Sequence, residues 1–87
     1  MRIVYSGHVQ GVGFRYTVKR LAQGYEVTGQ IRNLPVGGVE VCAEGMHDEL
    51  EAFAQAVRES ELEGYIRDAQ VSWGLARGGF RGFEIVR

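Results

Sequence analysis

The chain has 87 residues, of which 45% are hydrophobic and 24% charged, and its net charge at pH 7 is −1. This length fits one small domain over residues 1–87, and the composition excludes an intrinsically disordered or collagen-like chain. The near-neutral charge gives no general attraction to nucleic acid or to an anionic membrane, so we predict neither partner and expect any anion site to be local. The single cysteine, Cys42, cannot form an internal disulfide, and we expect a monomer in the cytoplasm.

The first third of the chain predicts a strand, a glycine-rich loop and a helix. Residues 3–5 are apolar and β-favouring, and they run into the loop 7–13 with its repeated glycines. Apolar residues then recur at helical spacing, which predicts a first helix over 14–23.

The middle of the chain predicts a hairpin. Apolar and polar residues alternate over 27–31 and again over 39–44, as they do in strands with one buried face. The five residues 34–38 include a proline and two glycines, and a connection of this length favours antiparallel pairing of the two strands.

The last third predicts a helix and two strands. Asp48 and Glu51 have the spacing of a capping box, and a helix is expected over 48–59. Alternation over 69–75 predicts a fourth strand, and a short last strand is expected at 83–86.

This order, βαββαβ with a short C-terminal strand, predicts an α+β ferredoxin-like split βαβ sandwich, an antiparallel sheet with two helices on one face. A right-handed crossover returns the second strand parallel to the first, with the third strand between them. The loop 7–13 and Asn33 should therefore meet at one sheet edge. Asn33 shares the parity of Ile31, which predicts that its side chain faces the helices. Four aromatic residues at strand or helix spacing are expected in the core: Tyr25, Phe53, Trp73 and Phe83.

The glycine-rich loop leads into a helix whose first turn carries Arg15. Successive backbone N–H groups in such a loop can form a concave anion site, to which the helix dipole adds partial positive charge. A guanidinium offers paired planar donors that fit two phosphate oxygens. The loop lacks the Gly-Lys-Ser/Thr of a Walker A motif and the third glycine of the dinucleotide motif. Taken alone, it fits either a plain turn or an anion site.

Two segments in register resemble the acylphosphatase family: Gly7-His8-Val9-Gln10-Gly11-Val12-Gly13-Phe14-Arg15 and residues 29–41, which include Asn33. The resemblance implies hydrolysis of acyl phosphates to a carboxylate and inorganic phosphate, without metal or organic cofactor, and phosphate as product and inhibitor. By motif position it implies that Arg15 binds phosphate and Asn33 orients the attacking water. It also implies a phosphate-binding loop made of His8, Val9, Gln10, Gly11, Val12, Gly13 and Phe14.

The residues outside this set fit the same chemistry. A carboxylate leaving group has a conjugate acid of pKa ~4, so no general acid is needed. No Cys/His set has zinc-ligand spacing. His8 stands where the family often has arginine, which makes the loop entrance less basic, and we expect it to be exposed to solvent. We expect His47 at a helix start far from the loop and Cys42 on the polar sheet face.

Two alternatives place the same fold in a binding role. RNA-recognition domains share the element order, but their third strand carries basic and aromatic residues, whereas residues 39–44 read Val-Glu-Val-Cys-Ala-Glu. The other alternative is a phosphate-recognition module within a larger carbamoyl-transfer protein, as in hydrogenase maturation proteins. Release of phosphate from an acyl phosphate would distinguish an enzyme from either module.

Overall fold

The computed structural model describes residues 1–87, and the helices and strands follow one another in the predicted order. Their bounds are β1 (Arg2–Gly7), α1 (Phe14–Ala22), β2 (Val27–Asn33), β3 (Val39–Gly45), α2 (His47–Arg58), a 3-10 turn (Glu63–Tyr65), β4 (Ile66–Ser72) and β5 (Phe83–Ile85). No helix has the length and apolarity needed to cross a membrane.

The five strands form one sheet in the order β4-β1-β3-β2-β5. β3 pairs antiparallel with both β1 and β2, so β1 and β2 run in the same direction, as the split βαβ order predicts. β5 pairs parallel with β2, which makes the sheet mixed rather than fully antiparallel. β4 and β5 lie at opposite edges of the sheet and run in opposite directions, and residues 73–82 connect them.

The core lies between the sheet and the two helices. The rings of Tyr5 on β1 and Phe14 on α1 pack with centroids 5.2 Å apart, and both side chains are almost fully buried. Burying one such side chain stabilises the fold by about 1.5–3 kcal/mol. The contact fixes the start of α1 over the end of β1, and it thereby sets the position of Arg15.

The start of α2 differs from the prediction. The helix begins at His47 after Met46, and no side chain caps its N-terminus, so the capping box predicted for Asp48 and Glu51 is wrong. The Glu51 carboxylate instead pairs with His47 at 3.1 Å, one helical turn away. The Glu51 carboxylate, which the capping box would have used as an acceptor at the helix start, therefore interacts with the His47 side chain on the same helix face.

The fourth strand covers Ile66–Ser72 instead of 69–75. It ends where its antiparallel partner begins, because Ser72 pairs with Arg2, the first residue of β1. Trp73 therefore lies beyond the sheet with 47% of its surface exposed, and its placement in the core was wrong. Its ring packs on that of His47 at 4.3 Å. Phe53 and Phe83 are buried and Tyr25 packs against the core, as predicted.

Candidate active site

The loop between β1 and α1 turns through two glycines in left-handed backbone conformations. Gly11 has φ 80° and Gly13, the residue before α1, has φ 76°. An added Cβ would meet open space at both positions, so the glycines are needed for their conformation and not for room. Gly13, with its left-handed conformation, turns the backbone of the loop into the first residue of α1.

The backbone donors of this loop are free within the protein. The N–H groups of residues 9–16 donate to no protein acceptor, whereas the preceding N–H, of His8, donates to the Tyr65 carbonyl at 2.9 Å. α1 has no side-chain cap and no acidic residue in its first turn. Free N–H groups and the positive end of the helix dipole together favour an anion at this point.

A cleft of about 250 Å³ opens at this loop. Asn33, the last residue of β2, contributes to its wall together with Arg15 on α1, as the crossover and the strand parity predict. No carboxylate lines the cleft, and Arg15 forms no ion pair, so the guanidinium charge is not neutralised there. The full lining consists of Val9, Gly11, Gly13, Phe14, Arg15, Tyr16 and Asn33.

The side chain of Asn33 is the unusual polar group of this cleft. Its Oδ1 atom is buried and has no hydrogen-bond partner, and it is the only buried side-chain N or O atom in this condition. An unsatisfied buried acceptor costs about 1–3 kcal/mol, and native proteins keep few of them. Oδ1 is thus a free hydrogen-bond acceptor on a residue that lines the cleft, and a water molecule that reached it could donate the missing hydrogen bond.

Three of the predicted loop residues do not line this cleft. His8 lies in a separate shallow concavity beside Tyr65, with ring centroids 6.4 Å apart. The Gln10 side chain turns toward the connection between β2 and β3, and Val12 packs against the core.

Sequence reasoning missed Tyr16, which lines the cleft with 72% of its surface exposed. The available signal was its place directly after Arg15 in the first helical turn. A large aromatic residue on the polar face of a helix is not explained by packing in the core, and such a residue is a candidate for a functional surface.

On the other sheet face, Glu40 pairs with two arginines. The buried Glu40 carboxylate accepts from Arg2 Nε at 2.7 Å and from Arg32 Nε at 2.8 Å. The hydrogen bond from Arg32, with that from Arg2, holds the pKa of Glu40 below its usual value, although burial acts in the other direction. Cys42 is half-buried on this face, as predicted, and burial raises the pKa of its thiol. No group of three or more His, Cys, Asp or Glu residues could hold a metal ion.

The protein is thus a small α+β split βαβ sandwich in which an arginine, an amide and free N–H donors surround one cleft, an arrangement suited to an anion. The family model described as Acylphosphatase matches residues 1–85. An acylphosphatase of Salinibacter ruber is 40% identical over 94% of this chain and 86% of its own length. This chain therefore belongs to the acylphosphatase family.

Solved structures agree with this assignment. The crystal structure of an acylphosphatase from Bacillus subtilis superimposes with a TM-score of 0.89 at 36% identity, over 99% of this chain and 96% of that one. HypF from T. kodakarensis matches with a TM-score of 0.84 at 29% identity, but the match covers 11% of that chain. The same fold thus occurs also as a small part of a longer protein.

Proposed function

We propose that this chain is an acylphosphatase that hydrolyses acyl phosphates to a carboxylate and inorganic phosphate. The proposal is carried by one observation: Asn33, whose Oδ1 has no hydrogen-bond partner, lines the same cleft as Arg15 and the loop with its free N–H donors. One side of the cleft is suited to an anion and the other to a water molecule. Hydrolysis of a phosphate anhydride needs both.

The phosphate group is bound by the loop of residues 8–14 and by Arg15. The free N–H groups donate to its oxygens, and the guanidinium adds paired, charged hydrogen bonds. Negative charge on these oxygens must be stabilised as the phosphoryl group passes between the two oxygens of the reaction. Donors that are already in place before reaction supply this stabilisation without reorganising.

The attacking water is held by Asn33. Its Oδ1 accepts a hydrogen bond from this water, which turns an oxygen lone pair toward phosphorus in line with the leaving group. The neutral amide takes no proton, and none is required from the enzyme at the leaving group. A carboxylate departs unprotonated at neutral pH, so acyl phosphates react without a general acid or a metal cofactor.

The direct test is release of inorganic phosphate from a simple acyl phosphate, with and without a chelator, against a protein-free blank. The same rate above the blank in both conditions is the expected result. An alkyl phosphomonoester serves as the matched substrate, since its alkoxide leaves poorly without an acid or a metal. Equal hydrolysis of the two substrates, or loss of the activity in chelator, would contradict the mechanism.

A second candidate is a phosphate-recognition module without turnover. It is favoured by the match to one short part of HypF, in which this fold belongs to a longer chain. The module would bind inorganic phosphate and be stabilised by it, but would release no phosphate above the blank. Measuring melting temperature and phosphate release on one preparation separates the two candidates.

A further inference from the structure

The side chain of Gln10 joins the loop after β1 to the connection between β2 and β3. Its Nε2 atom donates to the Leu34 carbonyl at 2.9 Å and to the Gly38 carbonyl at 2.9 Å. No other hydrogen bond connects residues 8–13 with residues 33–38. One amide group therefore makes the whole hydrogen-bonded link between the two segments that form the cleft.

The two carbonyls that Gln10 uses also close the connection itself. The Leu34 N–H donates to the Gly38 carbonyl at 2.8 Å, and the Gly37 N–H donates to the Leu34 carbonyl at 3.0 Å. Each carbonyl thus accepts one hydrogen bond from the turn and one from Gln10. The Gln10 amide uses both of its N–H donors in these two hydrogen bonds. A side chain with an acceptor in place of Nε2 would be repelled by the two carbonyl oxygens.

We propose that Gln10 is a positioning residue that sets the distance between the phosphate loop and the water held by Asn33. Leu34 directly follows Asn33, so the hydrogen bond at its carbonyl acts one residue from the amide that orients water. Gln10 itself does not line the cleft and touches no reacting group. The inference rests on the proposed function, because it assigns Gln10 a role in the same reaction.

The proposal separates two properties of the site. Arg15 and the free N–H groups belong to the loop and to α1, and they stay together when the link to residues 34–38 is broken. Phosphate binding should then persist, while the water on Asn33 shifts relative to phosphorus. A displacement of about 1 Å between reacting groups is enough to slow a reaction about 10²-fold.

The first test compares Gln10→Met, which keeps the length of the side chain but donates nothing, with Gln10→Glu, which places acceptors against the two carbonyls. We expect kcat to fall at least about tenfold in Gln10→Met and further in Gln10→Glu, with the inhibition constant of inorganic phosphate changed by less than about threefold. Gln70→Met is the matched control, because Gln70 is exposed on β4 and forms no side-chain hydrogen bond, and it should keep kcat within about twofold.

A double variant distinguishes positioning from general stabilisation. If Gln10 acts through Asn33, the kcat of the Gln10→Met/Asn33→Ala protein should lie within about twofold of that of Asn33→Ala alone. Losses that multiply in the double variant would overturn the proposal. All rates are referred to the native fraction, measured by thermal melting of each variant at the assay temperature.

Gln10→Asn is the milder variant should Gln10→Met fail to fold, since it keeps the amide on a stem one methylene shorter. It should also lose kcat with phosphate inhibition retained. Full kcat in a folded variant at position 10, or parallel losses of turnover and phosphate affinity, would overturn the proposal. If the wild type is active and Gln10→Met has the same kcat, this inference is wrong and the proposed function stands. If the wild type shows no turnover, both the proposed function and this role of Gln10 are wrong.

Discussion

The two ends of the sheet both carry a cleft, and the larger one is the less suited to chemistry. The cleft at the end of β1 and β2 measures about 250 Å³, whereas the one at the opposite end, under residues 73–80, measures about 490 Å³. Apolar side chains, including Trp73 and Leu75, dominate the larger cleft. Volume alone would therefore not select the smaller, more polar cleft.

The hydrogen-bond partners of particular polar groups differ between the two ends. In the larger cleft the N–H groups of Arg77 and Gly78 donate to the Glu44 carboxylate at 2.8 and 3.1 Å, and the N-terminal ammonium donates to the Ala43 carbonyl at 2.8 Å. In the smaller cleft the loop N–H groups and Asn33 Oδ1 have no protein partner. A buried side-chain atom without a partner, found only at Asn33, identifies a site better than the size of a cleft does.

Removing Arg15 should cause the largest loss of activity and of phosphate binding at the smaller cleft. We expect Arg15→Ala to lower kcat/KM by about 10³-fold, because the only side-chain cation of the cleft is lost. Stabilisation of the fold by inorganic phosphate should disappear as well, and Arg15→Lys should recover little of it. Initial rates and thermal melts with and without phosphate measure both effects.

The control for Arg15 lies at the other end. Leu75 is 95% exposed at the larger cleft, and Leu75→Ser should keep kcat/KM within about twofold. A phosphate-induced shift in melting temperature that survives Arg15→Ala would take Arg15 out of the site. A large loss of activity in Leu75→Ser would mean that both ends take part in the reaction.

Asn33→Ala separates turnover from phosphate binding within the smaller cleft. We expect kcat to fall about 10²-fold while the inhibition constant of phosphate changes by less than about tenfold, because the amide orients water and the loop holds the anion. The melting temperature should stay within a few degrees, since the variant removes an acceptor that the fold leaves unsatisfied. Joint loss of phosphate affinity and turnover would make Asn33 a direct phosphate ligand instead.

Glu40, which lines neither cleft, should affect stability and not turnover. The folded state lowers its pKa below the ordinary value of 4.5, so its stabilisation is present above about pH 4.5 and is lost as the pH falls through the folded value. Glu40→Gln should lower the melting temperature at pH 7 by about 4–8 °C, the shift that ~1 kcal/mol produces in a domain of this size. Melts from pH 7 to pH 3 should show the difference from wild type shrinking, with kcat at pH 7 within about twofold. A difference that grows toward acid pH would contradict this pairing.

The sequence predicted the fold more accurately than it predicted where elements begin and end. Strand alternation and helical spacing are local properties, and they gave the order of elements and the helix-facing side of Asn33. The end of β4 depends on where its partner β1 begins, and the start of α2 depends on which partner Glu51 finds. These choices are made by residues distant in sequence or on a neighbouring turn, so the local pattern could not decide them.

For the candidate site, the sequence by itself determined the backbone conformation of the loop that we propose binds the anion. Glycines at positions 11 and 13 permit the left-handed turns, and Arg15 lies two residues after the second of them. The role of Gln10 was decided only by the tertiary structure, because its two acceptors lie 24 and 28 residues away. Whether Asn33 Oδ1 finds a partner was decided there too. Hydrogen-bond satisfaction depends on what the fold brings within about 3 Å, and no spacing along the chain encodes that distance.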